Sequence, residues 1–145
     1  IWSPNTSEWT LAQFATAKAG LVLVNVNPAY RRAELEYAMN KAECKALILA
    51  PALKTSNYLE IVEDLVKAKK LPHLRHVIRL GREKTPGMLN FDDVATSGGN
   101  AEKVKLADFG PKLQFDDAIN IQFTIYDYIP TADREVPKTS TSSNR

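Results

Sequence analysis

Residues 20–50 read "GLVLVNVNPAYRRAELEYAMNKAECKALILA". Within them, "LVLVNV" at 21–26 is a short apolar run rich in β-branched side chains. It reads as a strand buried on both faces, the habit of parallel sheets covered by helices. In "NPAY", Pro28 fixes its own φ and turns Asn27 away from helical geometry, so the chain changes direction there. "RRAELEYAMNKAE" at 31–43 then sets Leu35, Ala38, Met39 and Ala42 along one side of a helix. "KALILA" at 45–50 is a second buried strand. Strand, helix, strand is the unit of a parallel α/β sheet.

The same rhythm extends to either side. "SPNTSEW" is a helix entrance in which Asn5 can cap and Glu8 can reach back to the Asn5 amide. Leu11, Phe14, Ala15 and Ala19 follow as one apolar stripe, and Gly20 supplies the stop. Downstream, Thr55 or Ser56 can cap a third helix whose inner face is Tyr58, Leu59, Val62, Leu65 and Val66. "HVIRL" at 76–80 is a further strand, closed by Gly81. The expected fold class is therefore α/β: a parallel sheet with flanking helices and right-handed crossovers.

Between residues 82 and 112 the pattern loosens into turn-rich text, "REKTPGM" and "TSGGN", around a short helix starting near Asn90. "INIQFTI" at 119–125 then alternates Ile119, Ile121, Phe123 and Ile125 with polar residues, which predicts a strand with one buried and one polar face. "TADREVPKTSTSSNR" at 131–145 has little to bury, and disorder is expected there.

The composition is that of an ordinary globular chain. Of 145 residues 44% are hydrophobic and 25% charged, and nineteen Lys and Arg against seventeen Asp and Glu leave a net charge of +2. So small and evenly spread a charge implies neither a nucleic-acid nor a membrane partner. No apolar run approaches the roughly 18 residues of a transmembrane segment. Cys44 alone excludes an internal disulfide, points to a reducing compartment, and reads as a buried structural thiol. The expected location is intracellular, in the cytoplasm or the mitochondrial matrix. Ile1 opens on apolar text, from which the chain is expected to begin inside a structural element.

The candidate chemical motifs mostly resolve into structural ones. Lys67, Lys69, Lys70 and Arg75 make the densest basic stretch, but its lysines fall in a last helical turn, where cations offset the helix dipole. Asp92–Asp93 and Asp116–Asp117 are adjacent pairs, whose side chains diverge on either a helix or a strand, so neither makes a shared-proton dyad. His73 and His76 have helical metal-ligand spacing, yet Pro72 and the strand beginning at His76 deny them a helix and no third ligand stands near. "TSGGN" lacks the Lys-Ser/Thr ending of a phosphate loop. Tyr30 reads as a core residue, and Asn27 and Pro28 as a structural corner without a catalytic role.

Four stretches, "GLVLVNVNPAYRRAELEYAMNKAECKALI", "DDAINIQFT", "IWSPNTSEWTLAQFATAKAG" and "LPHLRHVIRLG", together resemble the N-terminal part of an AMP-forming acyl-CoA synthetase of the adenylate-forming superfamily. The likeness is to the medium-chain fatty-acid type, and it runs over residues 1–124. It implies a partial AMP-binding domain at 1–124 and an unrelated tail at 125–145. For the full-length family it implies fatty acid, ATP, Mg²⁺ and coenzyme A as ligands: the acid attacks ATP to give acyl-adenylate and pyrophosphate, and the coenzyme A thiol then displaces AMP. The family's phosphate loop reads TSGTTGxPKG and follows a strand like "INIQF". Thr124 matches its first residue, which makes Thr124 the one candidate cofactor-binding position. The next residues are "IYDYIPTAD", without the loop's glycines, serine or lysine. Ile125 and Tyr126 cannot present converging amides as glycine does, and the strand is expected to continue instead. The resemblance thus implies a family member with no catalytic residue, no metal ligand and no bound cofactor of its own. Two alternatives stand beside this reading: a non-catalytic module that associates with a full-length synthetase or another partner through exposed sheet edges, and an independent small α/β domain.

Overall fold

The computed structural model describes residues 1–123. Thr124, the expected continuation of the strand and the disorder expected of residues 131–145 all fall outside the described residues. The elements, in chain order, are α1 (Ser7–Lys18), β1 (Leu23–Asn25), α2 (Arg32–Lys41), β2 (Ala46–Leu49), β3 (Ala52–Leu53), β4 (Ser56–Asn57), α3 (Tyr58–Lys67), β5 (His76–Arg79), β6 (Leu89–Asn90), α4 (Phe91–Thr96), α5 (Asn100–Phe109) and, after a 3₁₀ turn at Gly110–Lys112, β7 (Asn120–Gln122). The expected parallel α/β arrangement is present.

Two parallel sets of strands carry it. β2, β5 and β6 form one, in that order, with Ala46 opposite His76 and Ile78 opposite Leu89. β1 and β7 form the other, with Val24 opposite Ile121. Trp2 joins them, bridging in parallel to Val26 on one side and to Leu49 on the other. Its amide donates to the Ile48 carbonyl at 2.8 Å, and its carbonyl accepts from Ala50 at 3.1 Å. The Val26 amide donates to the Ile1 carbonyl at 3.0 Å. Ile1 and Trp2 therefore act as a minimal central strand. A small antiparallel hairpin, β3 with β4, stands apart.

Alternation on β2 assigns its side chains to two cores. Leu47 and Leu49 are fully buried in a cluster with Leu35 and Met39 of α2 and Val62 and Leu65 of α3. Ile48 packs on the opposite face with Ile1, Ala12, Leu23, Leu80 and Phe91. Helices thus cover both faces of β2, as its apolar run implies. The run at 21–26 is not buried on both faces as expected: Leu21 and Val22 are exposed, and the strand spans only Leu23–Asn25. Between α2 and α3 the surface is laced by Arg32–Asp64 at 3.5 Å and Lys70–Glu36 at 3.9 Å, exposed pairs that contribute at most about 1 kcal/mol each.

Three helices end by one device. After α1, α2 and α3, a residue with positive φ (Gly20, Glu43, Lys69) is followed by an amide that reaches back to the helix. Leu21 donates to Thr16, Cys44 to Met39 and Lys70 to Leu65, each at 2.9 Å, as in the Schellman motif. Only Gly20 is required to be glycine for a second reason. A Cβ there would stand 2.4 Å from the Phe109 ring, so α5 rests directly on this turn.

Several local expectations are corrected. The α1 cap is Thr6, not Asn5: Thr6 has extended backbone, and its hydroxyl accepts from the Trp9 amide at 3.3 Å. The α3 cap is Asn57, not Thr55 or Ser56: its backbone is extended where the helix begins, and its side chain accepts from the Glu60 amide at 3.2 Å. On α1 the face turned to the sheet carries Ala12 and Trp9, whereas Leu11 and Phe14 are exposed. Val66 on α3 is likewise exposed. α5 was not expected at all: none of its residues is buried, so no apolar stripe announces it. Finally, Ile119 and Ile121 are 48% and 42% exposed, so β7 has no buried face among the described residues.

Candidate functional site

In open parallel sheets ligands gather beyond the carboxyl ends of the strands. Here β1 and β7 run side by side, and beyond their carboxyl ends lies a cleft of about 220 Å³. Ser3, Trp9, Asn25, Asn27, Gln122 and Phe123 contribute to its walls. A larger hollow of about 490 Å³, bordered by Gly20, Phe109 and Ile119, lies nearer the amino ends of the same two strands.

The Asn27–Pro28 corner that borders the cleft is tied down by two aromatic side chains. Trp2 is fully buried and stacks on Tyr58, with ring centroids 3.6 Å apart and planes inclined by 12°. The Trp2 indole donates to the Asn27 carbonyl at 3.2 Å, and the Tyr58 hydroxyl donates to the Pro28 carbonyl. Asn27 Oδ1 accepts from the Ala29 amide at 2.9 Å, closing an Asx turn. The "NPAY" corner is thus fixed from beneath by two aromatic side chains, which agrees with its reading as structure. Burial raises the Tyr58 hydroxyl above its ordinary pKa, so it remains a proton donor to that carbonyl at neutral pH.

One feature of the wall is chemically unfinished. Both heteroatoms of the Asn25 carboxamide are buried without a hydrogen-bond partner. A buried unsatisfied amide is costly, by about 1–3 kcal/mol per group. Sequence reading passed over Asn25, Ser3 and Gln122. The available signal was Asn25 itself, a carboxamide set inside the apolar run "LVLVNV".

The wall residues do not suit a nucleotide triphosphate. No Lys, Arg, Asp, Glu or Gly borders the cleft among the described residues, so neither phosphate charge nor Mg²⁺ finds a counterpart there. Elsewhere among the described residues no group of three or more His, Cys, Asp or Glu side chains converges on a point.

The other candidates are placed as follows. Lys67 pairs with Glu63 at 3.4 Å, and Arg75 donates to the Pro72 carbonyl at 2.9 Å. Asp93 meets Lys84 at 2.9 Å in the first turn of α4, and Asp117 accepts from the Gln114 amide at 2.8 Å. Glycines of "TSGGN" open α5, where the Gly99 amide donates to Glu102 at 3.0 Å. His73 lies in a turn and His76 begins β5. Cys44 is half-buried against the larger core, as is Tyr30, and burial raises the Cys44 thiol above its usual pKa. No helix among the described residues is long and apolar enough to cross a membrane.

The comparisons with known proteins agree with this architecture. The family model described as AMP-binding enzyme matches residues 1–124. The mitochondrial medium-chain acyl-CoA ligase of Danio rerio is 38% identical over 135 residues, covering 86% of this chain and 22% of its own length. Its counterpart in Homo sapiens is 37% identical over 136 residues, with the same coverage. Among solved structures, an anthranilate CoA ligase in complex with anthranoyl-AMP superposes with a TM-score of 0.55 at 25% identity, covering 63% of this chain and 16% of that one. The chain belongs to the AMP-binding enzyme family, within the acyl-CoA synthetase superfamily. It spans about a fifth of the length of the curated relatives it matches.

Proposed function

We propose that this chain carries scaffold of a fatty-acid–CoA ligase, from α1 to the strand that leads to the ATP-phosphate loop, and does not itself form acyl-adenylate. The observation that carries the reading is the sequence after Thr124. Family resemblance reaches that residue, and "IYDYIPTAD" then stands where the phosphate loop belongs. Among the described residues the wall of the β1–β7 cleft is uncharged and free of glycine, and no side chain of theirs substitutes for the loop's lysine, which supports the reading. In this reading residues 1–124 are the family portion, residues 125–145 are unrelated to it, and Thr124 is what remains of the loop. The acid activated by the corresponding full-length enzyme is of medium chain length, and the compartment is the cytoplasm or the mitochondrial matrix. The relatives named above, described as mitochondrial medium-chain ligases, support both points.

Acid-dependent exchange of pyrophosphate into ATP tests the proposal. With octanoate, ATP and Mg²⁺, the 145-residue chain is expected to exchange no faster than a protein-free blank. Exchange that rises with octanoate and saturates would overturn it.

A further inference from the structure

The loop between β5 and β6 carries the stretch Arg82–Met88, well away from the β1–β7 cleft. Eight prolines occur in the chain, and two of them follow a hydroxyl residue, as Ser3–Pro4 and Thr85–Pro86. The fold separates these two. Ser3 is 3% exposed, and its hydroxyl donates to the Pro4 carbonyl at 2.8 Å. Thr85 is half-exposed, and its hydroxyl makes no hydrogen bond among the described residues. Arg79 and Asn90 fasten the base of the loop through the Gly81 and Glu83 carbonyls. At its tip the Thr85 carbonyl accepts from the Met88 amide at 3.1 Å, with Pro86 and Gly87 (φ +80°) in the centre, as in a type II turn. A Cβ at Gly87 would meet nothing within 4 Å, so the tip stands clear of the other described residues.

We infer that Thr85 is a phosphorylation site for a proline-directed protein kinase. Such an enzyme selects by what proline lacks. A kinase cleft that offers no acceptor to the amide after the phosphorylated residue strands that N–H in every other sequence, and proline has none to strand. Pro86 also biases Thr85 towards the extended backbone in which a substrate segment lies along a cleft. Thr85 Oγ1 attacks the γ-phosphorus of a nucleoside triphosphate, and the bond from that phosphorus to the bridging oxygen breaks. The nucleoside diphosphate leaves, and the hydroxyl proton passes to the kinase's catalytic aspartate. The product carries about −1.5 to −2 charge at pH 7. Two cations of the same loop stand ready for it. Arg82 is exposed and forms no ion pair among the described residues, and Lys84 is held only by Asp93, in an exposed pair at 2.9 Å that water screens. The charge is thus added at the surface and in neither core. The inference concerns modification of this chain by another enzyme, so it stands or falls apart from the proposed inactivity.

The test incubates the folded 145-residue chain with a purified mitogen-activated protein kinase and Mg²⁺–ATP, and reads intact mass and fragment spectra against a blank without kinase. The expected product carries a single phosphate, on Thr85. Thr85→Ala is expected to take up none. Pro86→Ala keeps the hydroxyl and removes the directing residue, so it is expected to be labelled at least tenfold more slowly. Both variants lie in an exposed turn and are expected to keep the circular dichroism of the parent chain. The inference is overturned if the folded chain takes up no phosphate, if the phosphate lies on Ser3 or within residues 131–145 and not on Thr85, or if Pro86→Ala is labelled as fast as the parent.

Discussion

Trp2→Ala is expected to remove about 3–5 kcal/mol of folding stability, the range for truncating a large buried aromatic side chain. Three losses coincide at this residue. Its fully buried ring leaves a cavity against Tyr58, the stacked contact disappears, and the Asn27 carbonyl loses the indole donor. The position adds a consequence that burial alone would not. Trp2 lies between β1 and β2. Alanine would keep its backbone bridges, but the side chain itself joins the two sets by packing among Val26, Leu47 and Leu49 and by donating to the Asn27 carbonyl. Because single domains are stable by only about 5–15 kcal/mol, the variant is expected to be largely unfolded in moderate urea that leaves the parent chain native. Trp2→Phe keeps a ring on Tyr58 and loses the indole bond, so it is expected to cost about 1–2 kcal/mol. Urea unfolding followed by far-UV circular dichroism measures both. A cost for Trp2→Ala below about 1 kcal/mol would contradict its central role.

Arg79→Ala carries the second largest expected effect, about 2–4 kcal/mol, and its cause is not the ion pair. The Arg79 side chain is only 5% exposed and reaches the Glu83 carboxylate at 2.7 Å, while Glu83 is 87% exposed. Water screens that carboxylate, and removing the guanidinium strands no buried charge. The same guanidinium also donates to the Leu80 and Glu83 carbonyls, fastening the turn after β5, and its stem fills space beneath that turn. Asn90 completes the fastening by donating to the Gly81 carbonyl at 2.8 Å and the Glu83 carbonyl at 3.3 Å. Loss of packing and of charged donors sets the magnitude. Arg79→Met, which restores most of the volume, is expected to cost about half as much. Glu83→Gln is expected to change stability by less than about 1 kcal/mol. Should Glu83→Gln prove as damaging as Arg79→Ala in urea titrations, the ion pair would be the stabilising element after all.

These two residues also show where sequence reading ends. The periodicity of Leu35, Ala38 and Met39 and the runs "LVLVNV" and "ALIL" sufficed for α2, β1 and β2, because local period reports which side of an element is apolar. Period says nothing about what covers that side. Leu11 and Phe14 therefore read as core on α1 and stand in solvent, and the alternation of Ile119 and Ile121 is equally uninformative about burial. Long-range pairing was also beyond reach. Nothing in "IWSPN" announces that Trp2 lies between strands that follow it by more than twenty residues. Caps slipped by one or two positions because Asn5, Thr6, Ser56 and Asn57 are all capable residues, and backbone geometry chooses among them. For the candidate site, the family and the approach to the phosphate loop were legible from specific motifs. The unpartnered Asn25 was not, because an orphaned amide is a property of its neighbours.

The central claim is that the chain retains the scaffold through Phe123 and lacks an ATP site. It is tested most directly by titrating the 145-residue chain with Mg²⁺–ATP while following its backbone amide resonances. No saturable shift is expected at Asn25, Gln122 or Phe123, nor at the amides that follow Thr124. A saturating shift confined to those residues, lost when Thr124 is replaced by Val, would contradict the account.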